Sequence, residues 1–163
     1  MTAMQYMELL YEKFYRKLYL YALTLVSDEN EARDIVSEVM ATVWQRLNQH
    51  NTQPNATYLY TLTRNRCLDY LRHTQAAQNY KAAEAVARTF QNDTEVEDYE
   101  TYIIQLYDAI GQLPEPGQTI LRHCYFKRLT YRQTAEALGI TEAMVHRHMV
   151  KVFKLLREKL KNN

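Results

Sequence analysis

The chain has 163 residues, 47% of them apolar and 24% charged, with only 3 glycines and 3 prolines. That length allows one ordinary domain or two small ones, and so few turn formers exclude a sandwich or barrel of short strands. The net charge of +1 hides an asymmetry: residues 1–73 carry 8 basic and 8 acidic side chains, 74–109 carry 2 and 7, and 110–163 carry 10 and 4. A polyanion partner is therefore expected at the C-terminal third, with the acidic stretch before it as a linker whose charge could cover that face.

In chain order, Leu10, Tyr11, Phe14, Leu18, Tyr21, Ala22 and Leu25 fall at helical offsets and predict an amphipathic helix over 3–26. Asp28 with Glu31 resets the chain as a capping pair. The stripe Ala32, Ile35, Val36, Val39, Met40, Val43 and Leu47 then predicts a second helix over 29–47. Residues 48–55 (NQHNTQPN) have no apolar side chain and read as a loop. A third helix over 56–73 has an apolar side (Leu59, Thr63, Cys67, Tyr70, Leu71) and a polar one (Tyr58, Thr61, Asn65, Asp69, Arg72). Residues 1–73 thus form a first domain. From Thr74 to Glu100 the pattern loosens. Tyr80–Phe90 reads as weakly helical and Asn92–Glu100 as an exposed connector, giving a linker over 74–100. Ile103, Leu106, Tyr107, Ile110 and Leu113 open a second domain over 101–163. Pro114 and Pro116 end that helix and start another, with Ile120, Leu121, Cys124 and Tyr125 facing inward. The expected class is all-α, two small helical domains. No run of about 18 apolar residues can cross a bilayer and no signal peptide precedes the first helix, so a cytoplasmic protein without membrane insertion is expected. Cys67 and Cys124 read as small core residues of a reducing compartment.

Residues 130–160 carry the sharpest local signal. Thr130 caps a short helix to Leu138, Ala135 is small enough for close packing, Gly139 makes the turn and Ile140 plugs the joint. Thr141 caps a long helix with Val145, Met149, Val152, Phe153, Leu156 and Leu160 on its buried side. That is a helix–turn–helix pattern. Ala143, Arg147, Val150, Lys151 and Lys154 project from the other side, where arginine can read guanine and lysines can meet phosphate. His146 and His148 lie about 200° apart on the helix, which rejects chelation; they flank the outward stripe. Arg132 adds charge to the supporting helix. On the third helix, Asn65, Asp69 and Arg72 are flanked by Tyr58, Tyr60 and Tyr70, aromatics and cations suited to unstacked bases. No P-loop, GxSxG or Glu-x-x-His pair is present, so no catalytic residue, cofactor or metal is expected.

"EARDIVSEVMATVWQRL" (31–47), "YLYTLTRNRCLDYLR" (58–72) and "LPEPGQTILRHCYFKRLTYRQTAEALGITEAMVHRHMVKVFKLLREKL" (113–160) resemble, in order and spacing, successive blocks of a bacterial RNA polymerase sigma factor of the extracytoplasmic-function type. The resemblance implies a transcription initiation factor. Asp34, Ile35, Ser37 and Glu38 fall where the family docks on core RNA polymerase. Loop 48–55, with Asn55 and nearby Tyr58, falls where it captures a flipped base of the promoter minus-ten element. Asn65, Arg66, Asp69 and Arg72 fall on the strand-opening helix. Arg132, Thr141, Ala143, His146, Arg147, Val150, Lys151 and Lys154 belong to the unit that reads the minus-thirty-five element. Promoter DNA, core polymerase and an anti-sigma factor are the implied partners. The chain departs from the family's usual Glu-Ile-Ala triplet with Gln133-Thr134-Ala135. Its recognition helix reads Met144-Val145-His146-Arg147-His148-Met149, a start similar to the iron-uptake branch. The resemblance therefore implies the helix's role and not its bases. Without it, the residues also fit a stand-alone dimeric helix–turn–helix regulator.

Overall fold

The computed structural model describes residues 2–50, 53–74 and 77–161, and every regular element among them is an α-helix. The chain divides into two compact units, Met1–Thr101 and Tyr102–Asn163.

Unit one is built on α1 (Ala3–Val26), α2 (Glu29–His50) and α3 (Ala56–His73). Thr2 and Gln5 close a capping box on α1, and Asp28 accepts the Glu31 N–H at 3.0 Å at the head of α2. The predicted stripes face one another: Leu18, Leu25, Val36, Val39, Val43 and Leu59 are all at most 1% exposed. Each such side chain contributes about 1.5–3 kcal/mol by leaving water. Burial pushes the Cys67 thiol up to about 12, so it is an inert core group. Between α1 and α2, Ser27 sits in the left-handed region at φ 55°, strained for a residue with a Cβ. Ser27→Gly is therefore expected to stabilise the chain by about 0.5–1 kcal/mol. A thermal melt followed by circular dichroism checks this, and an unchanged or lower midpoint contradicts it.

The 74–100 segment is not the exposed linker expected of it. It forms α4 (Ala77–Val86) and the head of α5 (Asp93–Gly111), and Ala83, Phe90, Val96 and Tyr99 are buried. Phe90 and Tyr99 join Tyr21 and Tyr60 in a four-ring cluster with centroid separations of 5.2–6.3 Å. Ring pairs of this kind contribute about 0.5–1.5 kcal/mol beyond their burial. Glu100, nearly buried, meets Lys17 at 2.7 Å. The segment's acids are thus partly spent inside unit one: Asp93 on Thr57, Glu95 on the Gln91 N–H and Glu100 on Lys17. Tyr60, expected on the polar flank of α3, is fully buried. Burial, and then the charge of Glu100, hold its phenol well above the usual tyrosine range.

Unit two contains the end of α5, α6 (Gly117–Tyr125), α7 (Tyr131–Leu138) and α8 (Glu142–Lys161) around Leu113, Ile120, Leu121, Ala135, Val145, Met149, Val152 and Leu156. Tyr125 and Phe153, expected inward, are exposed and meet edge-on with centroids 6.2 Å apart. Gly117 is a contact point: a Cβ there would stand 2.8 Å from Cγ2 of Val152 on α8. Gly117→Ala is expected to cost about 1–3 kcal/mol by overpacking. Adding Val152→Ala should recover about 1 kcal/mol of the summed single costs, as a denaturant double-mutant cycle reads it. Additive costs would contradict a direct clash.

Candidate nucleic-acid interface

In unit two, Thr130 and Gln133 form a reciprocal capping box, and Gly139 takes φ 69° to end α7. The Ile140 N–H then closes back on the Ala135 carbonyl at 3.0 Å. The Thr141 hydroxyl accepts the Met144 N–H at 3.1 Å and starts α8. Thr134 and Ala135, both buried, are the small residues that let α7 lie close under α8. These local devices fix which side of α8 faces out. Ala143, His146, Arg147, Val150, Lys151 and Lys154 are all exposed. Arg147, Lys151 and Lys154 make no ion pair among the described residues. The His146 ring lies 6.1 Å from that of Tyr131, and Arg132 pairs loosely with Glu136 at 3.6 Å. The result is a helix face with unspent positive charge, one apolar contact at Val150 and the width of a single helix, the shape a major groove admits.

In unit one the polar residues divide into two groups. On α2, Asp34, Ser37 and Glu38 are exposed at one helical face, while Ile35 is 5% exposed and belongs to the core. The period of its own stripe turns Ile35 inward, so it drops out of the surface set. The neighbouring Glu31 carboxyl is raised by partial burial and then by the charges of Asp28, Asp34 and Glu38, which marks this face as strongly negative.

On α3, Asn65, Asp69 and Arg72 are exposed along one side. Asp69 holds Arg72 at 3.2 Å, and Arg72 also accepts Tyr80 of α4 as a partner: its Nη2 donates to the phenol oxygen at 3.0 Å, and its guanidinium lies 5.1 Å from the ring centroid. Arg66 faces α2 instead. Its guanidinium reaches Glu38 at 3.2 Å and donates to the Thr42 hydroxyl at 2.7 Å. The structure therefore ties a residue expected on DNA to one expected on the polymerase.

At the other end of α3, Asn55 is the N-cap, its side-chain oxygen accepting the Tyr58 N–H at 2.8 Å. The expected loop 48–55 is shorter than read: 48–50 complete α2, 53–55 connect, and Asn51 and Thr52 lie outside the described residues. Val43, Arg46, Gln53, Pro54, Asn55 and Tyr58 line a hollow of about 220 Å³ here. The Arg46 guanidinium stands 5.0 Å from the centroid of the Tyr58 ring. Arg46 and Tyr80 were invisible to sequence reasoning because each meets its partner across helices rather than along one. Among the described residues no group of acids, histidines and cysteines could hold a metal ion.

Comparison with known proteins matches residues 10–77 to sigma-70 region 2 and residues 103–156 to sigma-70 region 4. The chain is similar to the ECF RNA polymerase sigma factor SigL of Mycobacterium tuberculosis, 24% identical over 153 residues, covering 93% of this chain and 86% of that one. It is 29% identical over 140 residues to the ECF RNA polymerase sigma factor RpoE of Cereibacter sphaeroides, covering 80% and 73% of the two chains. The ECF RNA polymerase sigma factor SigX of Bacillus subtilis is 24% identical over 166 residues, with 93% and 81% covered.

Proposed function

The chain belongs to the sigma-70 family, as a sigma factor of the extracytoplasmic-function type that directs RNA polymerase to promoters, and from that premise we propose how its side chains divide the work. Asp34, Ser37 and Glu38 form the docking face for core polymerase, an acidic patch that calls for a basic partner surface. The hollow between Arg46, Asn55 and Tyr58 receives an unstacked base of the minus-ten element. Asn65, Asp69 and Arg72 then follow the opened strand, with Arg66 held at the border by Glu38 and Thr42. In unit two, α8 enters the major groove at the minus-thirty-five element. Arg147 meets a base edge, Val150 a methyl group, Lys151 and Lys154 the phosphates, and Thr141, Ala143, His146 and Arg132 the groove margins.

Strand separation in this reading draws on base capture and stacking, about 1–3 kcal/mol per base, rather than on hydrolysis. The chain acts without a cofactor and is not an enzyme. It works in the cytoplasm, where its polymerase partner is. No described helix is long and apolar enough to cross a membrane. An anti-sigma factor, as a regulatory partner, would act by covering the same exposed faces.

The observation that carries this reading is the pairing, on one chain, of an exposed basic face on a helix–turn–helix with a separate hollow of about 220 Å³ lined by Tyr58 and Arg46. Gel filtration with sigma-free bacterial core polymerase tests it. A stable complex is expected. No complex, together with tight salt-sensitive binding of the free chain to duplex DNA, would favour a stand-alone helix–turn–helix regulator.

A further inference from the structure

Asp93 lies between the two matched family regions, residues 10–77 and 103–156, in the stretch that sequence reads as an exposed connector. Its Oδ1 accepts two hydrogen bonds from a residue 36 positions earlier, the Thr57 N–H at 3.0 Å and the Thr57 hydroxyl at 2.6 Å. Those two bonds, rather than burial, hold its carboxyl below the usual range. Thr57 sits in the first turn of α3, whose N–H groups have no helical partner of their own. Asn55 takes the Tyr58 donor and Asp93 takes the Thr57 donor, so the entry to α3 is pinned by one side chain from before it and one from far along the chain.

What is pinned there is a thin wall. Pro54 and Asn55 line the 220 Å³ hollow on one side, and the same two residues line a second hollow, shared with Asp93, on the other. The post that holds Asp93 is itself fixed: Phe90, Val96 and Tyr99 are at most 6% exposed, and Glu100 is anchored on Lys17 at 2.7 Å. Asn92 and Glu95 lock the first turn of α5, the Asn92 side chain accepting the Glu95 N–H and the Glu95 carboxylate the Gln91 N–H.

We propose that Asp93 is a positioning residue for base capture: by holding Thr57 it fixes the 53–58 rim of the hollow, and so sharpens which base the hollow accepts. The inference rests on the reading of that hollow as the base-capture site. Two charge-assisted hydrogen bonds supply the restraint, and losing them lets the rim sample positions that fit several bases equally.

The test uses full-length chain bound to core polymerase and a pool of fork-junction DNAs randomised over the single-stranded non-template positions, with bound molecules sequenced. Wild type is expected to enrich one base strongly at one position. Asp93→Ala should reduce that enrichment about five- to tenfold while leaving preferences at the other positions and core binding unchanged. Asp93→Asn, which keeps an acceptor, should retain most of it. Thr57→Val combined with Asp93→Ala should lose no more than Asp93→Ala alone. Unchanged enrichment in Asp93→Ala, or an equal loss at every position, would overturn the positioning role. Wild type enriching no base anywhere would overturn the base-capture reading beneath it.

Discussion

The double variant Asp34→Arg/Ser37→Arg is expected to lose core polymerase, with affinity falling roughly a hundredfold or more and no co-elution at micromolar concentration. Both residues are exposed on one face of α2, one turn apart, and neither packs into the core. The new arginines would set like charges against the basic partner surface proposed for this acidic face. Glu38 is left out deliberately. It holds Arg66 at 3.2 Å, so changing it would disturb Arg66 as well. The free variant should keep its melting midpoint and whatever affinity the wild-type chain has for duplex DNA, because unit two is untouched. Co-elution at wild-type strength would remove the α2 face from the polymerase contact.

Arg147→Ala is expected to weaken promoter binding by the reconstituted holoenzyme about ten- to a hundredfold and to relax preference at one minus-thirty-five base pair. Arg147 is exposed in the middle of the outward stripe of α8 and has no ion-pair partner among the described residues. Its guanidinium is therefore available to a base edge without first breaking an internal contact. Lys151→Ala provides the contrast. A phosphate contact carries no sequence information, so affinity should fall evenly across sequences and the salt dependence should lose about one counterion. Filter binding against a panel of single-base-pair variants at several salt concentrations separates the two. An Arg147→Ala loss that is uniform over the panel would make Arg147 a phosphate contact too.

Where helical period and local capping decide a structure, this chain was legible. The apolar stripe placed α1 at Ala3–Val26, and the Thr130, Gly139 and Thr141 signals placed α7 and the start of α8. Those features depend on residues three or four apart, which a linear reading sees. The 77–100 segment depends on something else. Val96 and Tyr99 are its only large apolar positions between Asp93 and Glu100, and the acids around them mask the stripe. Phe90, between its two helices, and Tyr99, on the second, pack against the rings of Tyr21 and Tyr60, contributed by α1 and α3. The misplacement of Tyr60 has the same origin, since Phe90 and Tyr99 are two of the rings packed around it. Ile35 shows a different failure. Its stripe already turned it inward, and a role taken from resemblance had set it on the surface. Side-chain pairing across helices, Arg66 with Glu38 and Arg72 with Tyr80, has no signature in spacing at all.

The most direct test of the central claim is transcription by sigma-free core polymerase on fragmented genomic DNA of the source organism, with and without this chain, with every RNA 5′ end mapped. The chain is expected to create a new set of start sites that share two upstream sequence blocks, near minus ten and minus thirty-five, at a fixed separation. Arg147→Ala should weaken use of that set through the upstream block. Start sites identical to those of core polymerase alone, with the chain present in excess and folded, would contradict promoter direction by this protein.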